Sequence, residues 1–458
     1  MRRPNVLLLY TDQQRWDTLA CGGNEHIHTP NLDSLASRGA LMANAFANNP
    51  VCMPSRQSML SGQYPSCVGT TDNGIEMPRD VLTVHKVLRP YGYHTANLGK
   101  LHFLNHSDRD HREAHPDYGF DELVISDEPG CYDDAYIKWV QQQDPAQVDL
   151  CRCTSPPAVR TDRIEKQPRG TISPYVFEGR EDLTHTAFVA DETIRCIRQH
   201  RDEPFFIISG FYAPHAPLNP PRRFVDLYDP ADMPLPAQNE GENPHGLSDD
   251  EWRRVKAYYY ALISHVDDQV GRILNALDEA GLRDDTLVIF TSDHGDHLGD
   301  HGQAGKGAPG LDSCLHVPLI VSAPGTKAAG ARREELVEAV DIVPTILDYC
   351  GVQVPPVMQG RSFRPLLEGG DYEARRSIYM EYRRPFGPSH KTIRTHEYWY
   401  SANNAVREML FDLRTDPNQL RDVAADPAHT DALHEMRREL VRRWFDVERQ
   451  YPLRTAEY

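Results

Sequence analysis

The chain has 458 residues, a formal net charge of −18, 40% hydrophobic and 25% charged residues. That is the make-up of a soluble globular enzyme long enough for more than one domain. The acidic balance argues against nucleic acid, anionic membrane surfaces and long sulfated polymers as partners, so an anionic substrate should be small and met by a local basic pocket.

Apolar runs and helical patterns alternate along the chain. Val6-Leu7-Leu8-Leu9-Tyr10 reads as a strand buried on both faces. Thr29-Pro30 starts a helix that runs to Gly39, a cap residue followed by Pro at the first position. Further buried strands are expected at 94–98, 205–209, 287–291 and 318–322. The longest helix should span about 249–280, where Val255, Leu262, Val266, Val270, Ile273, Leu274 and Leu277 fall near one stripe. This alternation predicts an α/β fold with a mostly parallel central sheet between helices. Residues 103–185 are polar and weakly periodic and read as long insertions that shape substrate choice. No internal repeat or low-complexity tract is seen.

Beyond about residue 370 the pattern changes to short antiparallel strands at 378–382, 391–395 and 399–403. Leu410-Phe411-Asp412-Leu413 and a closing helix at 431–451 follow. The expected organisation is a catalytic domain over 1–370 and a small α+β subdomain over 371–458. The tail 452–458 is expected to pack on a neighbouring subunit of a homo-oligomer. Cysteines at 21, 52, 67, 131, 151, 153, 196, 314 and 350 form neither a dense disulfide framework nor a paired CxxC zinc site. With no apolar leader region and no run of membrane-spanning length, the protein is expected to be cytoplasmic, with reduced thiols.

The most informative segment is Cys52 to Gly62. It reads as a Cys on a tight turn feeding into a short helix, with Pro54 early in the first turn and Gly62 at the end. Cys52 would sit at the positive end of that helix, and Arg56, one turn on, returns a fixed positive charge to the same face. The place suits a nucleophile that attacks an anionic ester. The alternative is a buried structural cysteine. Asp12 stands just past the first strand and Asp293-His294 just past the strand at 287–291, so both acids meet at one sheet edge. Either Asp alone reads equally as a turn residue. Lys100 and His102 follow the strand at 94–98, His215 follows that at 205–209, and Lys306 follows a Gly-rich stretch with His297 and His301 in the same loop. A lone Lys or His of this kind carries no functional weight by itself.

The run Cys52-x-Pro54-Ser55-Arg56-x-x-x-Leu60-Ser61-Gly62 resembles the signature of the type I, formylglycine-dependent sulfatases of the alkaline phosphatase superfamily. Leu410-Phe411-Asp412-Leu413-x-x-Asp416-Pro417 is similar to a motif of their C-terminal subdomain, so the resemblance spans nearly the whole chain. It implies that a formylglycine-generating enzyme converts Cys52 to Cα-formylglycine. It also implies that Asp12, Gln13, Asp293 and His294 hold one divalent metal beside residue 52. Asp12-Gln13 and Asp293-His294 depart from the commoner Asp-Asp and Asp-Asn pairs and look like those of choline sulfatases and phosphonate monoester hydrolases. An all-oxygen site suits Ca²⁺, whereas one with a His suits Mn²⁺ better.

The mechanism that the resemblance implies starts from the hydrated aldehyde. One hydroxyl, held by the metal and Arg56, attacks sulfur and gives a covalent sulfo-enzyme. Lys100, Lys306 and the metal hold the charged oxygens, and His215 protonates the leaving group. His102 takes a proton from the second hydroxyl, expelling sulfate and restoring the aldehyde. Lys100, His215, Lys306 and His301 are the expected substrate contacts. The expected substrates are small aryl or alkyl sulfates. The alternatives are a phosphonate monoester or phosphodiester hydrolase on the same scaffold, and a non-catalytic anion-binding protein with unconverted Cys52.

Overall fold

The computed structural model describes residues 3–105, 113–130, 133–152, 172–384 and 387–448. Its larger sheet is built from β1 (Asn5–Asp12), β2 (Ala40–Phe46), β3 (His94–Gly99), β4 (Glu122–Ile125), β5 (Phe205–Pro214), β6 (Thr286–Ser292), β7 (His316–Val317), β8 (Leu319–Ser322) and β9 (Ala331–Glu338). The strand order is β4-β3-β5-β1-β6-β8-β2-β7, with β9 alongside β2. From β4 to β6 every neighbouring pair is parallel. β8 and β7 run antiparallel to their neighbours, whereas β9 pairs with β2 in parallel. The expected mostly parallel sheet is present, with antiparallel members on one side.

Every residue of β1 is buried. Successive side chains of a strand point to opposite faces, so Leu7 and Leu9 join one apolar layer while Val6, Leu8 and Tyr10 join the other. The first layer holds the helices His185–Gln199 and Asp249–Glu279; the second holds Ile342–Tyr349 and the end of Cys52–Ser61. Helix Asp249–Glu279 begins with a reciprocal capping box between Ser248 and Glu251. Residues 103–185 are more than loops. They contain β4 and the helix Ala135–Gln143, which Asp134 caps through the Ile137 N–H.

The smaller sheet is the antiparallel meander β10 (Ile378–Tyr382), β11 (His390–Arg394), β12 (Tyr398–Asn403) and β13 (Glu408–Asp412). Helix Thr430–Val447 packs on it through Leu433, Met436 and Leu440. That helix ends at Val447, short of the expected 451, and the tail 452–458 lies outside the described residues, as do Cys131 and Cys153.

Two sets of bonds join the sheets. Asn48 Nδ2 donates to the Tyr379 carbonyl and Asn49 Nδ2 to the Glu381 carbonyl, each at 2.8 Å. At the end of β9, buried Glu338 accepts from Arg443 at 2.7 Å and Tyr64 at 2.5 Å, and lies 3.2 Å from Arg375. No described helix is long and apolar enough to cross a membrane.

Candidate functional site

Four parallel strands deliver the site. Asp12 ends β1 and Asp293 follows β6; Lys100 follows β3 and His215 follows β5. Such carboxyl ends form one edge of the sheet, where open α/β folds bind ligands. β3 and β5 come together there because Gly210 has no side chain: a Cβ would lie 2.2 Å from the Lys100 carbonyl oxygen.

Cys52 is the first residue of the helix Cys52–Ser61, after extended Val51. Pro54 is third, inside the first turn, where no intrahelical N–H is lost. Gly62 ends the helix in the left-handed conformation at φ 63°. All ten helix residues are buried, so the segment is set into the protein rather than presented on it.

Around Cys52 Sγ stand Lys306 Nζ at 2.6 Å, His294 Nε2 at 3.2 Å and Asp12 Oδ1 at 3.7 Å. Lys100 Nζ lies 2.8 Å from Asp12 Oδ2 and 3.5 Å from Glu128 Oε1, and sits over the Tyr212 ring at 4.6 Å. Arg56 donates from Nε to Asp293 Oδ2 at 2.7 Å and reaches Asp12 Oδ2 at 3.4 Å. It also donates to the carbonyls of Thr11 and Lys100, each at 3.2 Å. The Arg56 charge is thus engaged by the two acids and by the strand ends.

The electrostatics follow from burial and charge. Burial pushes the Asp12 carboxyl up, but Lys100, Lys306 and His215 outweigh it and hold it well below the usual carboxylate range. Burial, then Asp12, pushes the Cys52 thiol up to about 12 despite Lys306 and Lys100. The unmodified thiol is therefore a poor nucleophile at neutral pH. Burial and the nearby Lys306 lower both His294 and His215 to about 4, leaving both imidazoles neutral.

The residues present fit a divalent cation. One ligand atom each from Asp12, Cys52, Asp293 and His294 lies within 4.8 Å of the others. His294 Nδ1 donates to the Gly295 carbonyl at 2.8 Å, which leaves the Nε2 lone pair facing the cluster. Gln13 Nε2 donates to Asp296 Oδ2 at 2.5 Å, while its Oε1 is buried without a hydrogen-bond partner. Gln13 itself has φ 69° and donates its backbone N–H to Asp293 Oδ1 at 3.0 Å. Two carboxylates and an imidazole, with the orphaned amide oxygen on Gln13 next in sequence to Asp12, make a donor set for a metal that accepts nitrogen as well as oxygen.

The other expected residues stand as follows. His215 donates from Nδ1 to the Ala216 carbonyl at 2.8 Å, leaving Nε2 as its available nitrogen. His102 is buried at φ 57°, and its backbone N–H and that of Leu101 are both held by Asp127 Oδ1. His297 is held by Ser313 Oγ at 2.9 Å. His301 lines a cleft of about 770 Å³ with Arg15, Lys256 and Arg332, which none of Asp12, Cys52, Lys100, Asp293, His294 or Lys306 lines. Asp296 and Glu128 belong to the site, and sequence reasoning does not find them. Asp296 is readable as the second acid of Asp293-His294-Gly295-Asp296; Glu128 lies inside the span that reads as insertions.

Comparison with known proteins agrees with this geometry. The sulfatase family model matches residues 4–352, and one described as N-sulphoglucosamine sulphohydrolase, C-terminal, matches 299–445. An arylsulfatase of Clostridium perfringens is 30% identical, over 96% of this chain and 94% of that protein. A choline-sulfatase of Rhizobium meliloti is 28% identical, over 93% and 83% respectively. The crystal structure of the phosphonate monoester hydrolase of Agrobacterium radiobacter has the same fold, with a TM-score of 0.86 and 27% identity, over 98% of this chain and 97% of that one.

Proposed function

Because the chain belongs to the sulfatase family, we propose that it hydrolyses small aryl or alkyl sulfate monoesters, with Cys52 converted to formylglycine as the source of its nucleophile. The observation that carries the reading is the place of Cys52: first residue of a buried helix, 2.6 Å from Lys306 and 3.2 Å from His294. A thiol pushed up to about 12 does not suit attack as it stands, and conversion to an aldehyde hydrate replaces it with oxygen.

A divalent ion held by Asp12, Gln13, Asp293 and His294 would supply positive charge that neutralises the ester and activates the oxygen at position 52. Lys306 and Lys100 grip the anionic ester oxygens as charge shifts. One hydroxyl at position 52 gives up its proton to solvent, and its oxygen bonds to sulfur as the bond from sulfur to the alcohol oxygen breaks. His215 Nε2 delivers a proton to that departing oxygen. Its imidazole is neutral in the free site, so it gains that proton with the substrate, whose negative charge offsets Lys306 and Lys100. His102 takes the proton from the remaining hydroxyl of residue 52, which regenerates the aldehyde and expels sulfate. Arg56 keeps both acids in register and touches no reacting atom in this scheme.

A second reading, phosphonate monoester or phosphodiester hydrolysis, is favoured by the Asp12-Gln13 and Asp293-His294 pairs and by the likeness to the Agrobacterium enzyme. These esters also carry one negative charge on a tetrahedral centre. The test is kcat/KM for an aryl sulfate and an aryl phosphonate of one leaving group, on protein whose Cys52 peptide is shown by mass spectrometry to carry the aldehyde. Preference for the sulfate is expected; preference for the phosphonate selects the second reading. Full turnover by Cys52→Ala would overturn both.

A further inference from the structure

A second group of ligating side chains lies at the other end of the larger sheet. His94 opens β3 and Glu122 opens β4, and the two strands pair in parallel with Ala96 opposite Glu122. Lys100 follows the other end of β3, six residues on, so the catalytic edge is about 20 Å away at ~3.3 Å per residue. Helix His185–Gln199 packs behind these strands and brings Cys196 and, at its C-cap, His200. Positions four apart share one helix face, so both side chains turn toward the strand starts. One ligand atom from each of His94, Glu122, Cys196 and His200 lies within 4.8 Å of all the others.

The surroundings orient these groups. His200 Nδ1 meets Glu203 Oε1 at 2.7 Å. The carboxylate accepts that proton, which leaves the Nε2 lone pair available, as in a carboxylate–histidine–metal relay. Arg195 binds Glu122 Oε1, and Glu122 Oε2 stands 3.6 Å from His94 Nε2. That separation is too long for a hydrogen bond, and His94 Nε2 is buried without a hydrogen-bond partner. The His94 and His200 rings lie face to face, 3.5 Å apart and 7° from parallel. Two imidazolium ions would repel in that stack, and burial together with His200 lowers the affinity of His94 for a proton. Cys196 is wholly buried. The donor set is therefore two imidazoles, a thiol and a carboxylate, with an orphaned nitrogen among them.

We propose that His94, Glu122, Cys196 and His200 form a second metal site, closed and structural, for a zinc-class divalent cation. One sulfur, two nitrogens and one oxygen make a four-coordinate set of the kind zinc takes in structural sites, with bonds of about 2.0–2.3 Å. Tetrahedral ligands at those lengths stand roughly 3.3–3.8 Å apart, so on binding the widest pair closes by at most about an ångström and the two stacked rings turn out of parallel, each nitrogen aiming its in-plane lone pair at the cation. Binding releases the Cys196 thiol proton to solvent, since thiolate is the ligand. The bound ion would staple the β3–β4 edge of the sheet to helix His185–Gln199. It stands apart from the catalytic reading, because no residue is shared.

Cobalt(II) is the probe, because thiolate coordination to it gives a charge-transfer band in the near ultraviolet. The full chain carrying Cys52→Ala, which removes the catalytic-edge thiol, is stripped with chelator and titrated with cobalt(II) alone. A thiolate band is expected there, absent from Cys52→Ala/Cys196→Ser and shifted to at least about tenfold higher cobalt concentration in Cys52→Ala/His200→Gln. Zinc should raise the thermal midpoint of the Cys52→Ala protein by clearly more than that of Cys52→Ala/Cys196→Ser, in which only the catalytic-edge ligands remain to take the ion. Should the Ser variant fail to fold by circular dichroism, the His200→Gln titration decides. No band in the Cys52→Ala protein, the same band with Cys196→Ser, or an unshifted titration with His200→Gln overturns the proposal.

Discussion

Arg56 and Asp293 form an ion pair at 2.7 Å in which neither side chain is exposed at all. The same guanidinium reaches Asp12, so one cation spans the two acids that the end of β1 and the end of β6 bring together. Removing it leaves both carboxylates buried with less compensation. Arg56→Ala should therefore lower the stability of the metal-free protein by about 3–5 kcal/mol, read as the shift in urea midpoint. Arg56→Lys keeps the charge but loses the fork and should recover only part of it. An unchanged midpoint in Arg56→Ala would remove the case for this pairing.

Metal affinity should depend on Gln13 as well as on the acids. Asp12→Asn and Asp293→Asn each delete a charged ligand and should leave the protein without catalytic metal after dialysis, by elemental analysis. Gln13→Asn withdraws the orphaned oxygen by one methylene, while Asn tolerates the positive φ of this position. It should weaken metal binding roughly tenfold or more, with the fold kept. Chelation should abolish turnover and added metal restore it; equal metal content in wild type and Gln13→Asn would count against Gln13 as a ligand.

His215 should matter most where the leaving group is poor. His215→Ala should slow alkyl sulfates by about 10²–10⁴ and esters of acidic phenols much less, because a good leaving group needs little protonation in the transition state. A leaving-group series on wild type and variant measures this, and equal losses across it would mean that His215 binds rather than protonates.

Asp134 gives a pH signature away from the catalytic edge. It caps helix Ala135–Gln143 and pairs with Ser126 Oγ at 2.6 Å. Burial, helped by Asp127, raises its carboxyl to about 7. With the folded value above the unfolded one of roughly 3.9, the folded state binds more protons between them. The contribution of Asp134 is therefore fully present below about pH 4 and falls as pH rises to about 7. Asp134→Asn keeps the capping oxygen and cannot ionise. Relative to that variant, the wild type should lose stability between about pH 4 and 7 and then level off, as measured by denaturant midpoints.

The central strands are legible in the sequence because β5, β1 and β6 sit side by side in the middle of the sheet, where continuous apolar runs are unambiguous. The helix at Cys52 is legible through Pro54 and Gly62. β9 is hidden, since Ala-Arg-Arg-Glu-Glu alternates between solvent and sheet and reads as surface. β7, two residues long, leaves no pattern. Asp12, Asp293, His294 and Lys306 are placed by motif context and do gather around Cys52. Their partners are harder to see, because Asp296 and Gln13 meet across 283 residues. His301 departs for the neighbouring cleft because Asp300 pairs with Arg15 at 2.6 Å and the His301 N–H binds the Ala237 carbonyl.

The bonds from Asn48 and Asn49 to β10 fix the backbone just ahead of Cys52, and Arg443, from the last helix, neutralises Glu338 at the end of β9. The smaller sheet donates no group to the reacting centre, yet it holds the doorstep of the nucleophile and supplies a counterion to the larger body. It is not a detachable module. Trimmed of residues beyond 370, the remaining chain would bury an uncompensated carboxylate and lose the anchor of its most important turn, so the two parts must be inherited, expressed and engineered as one.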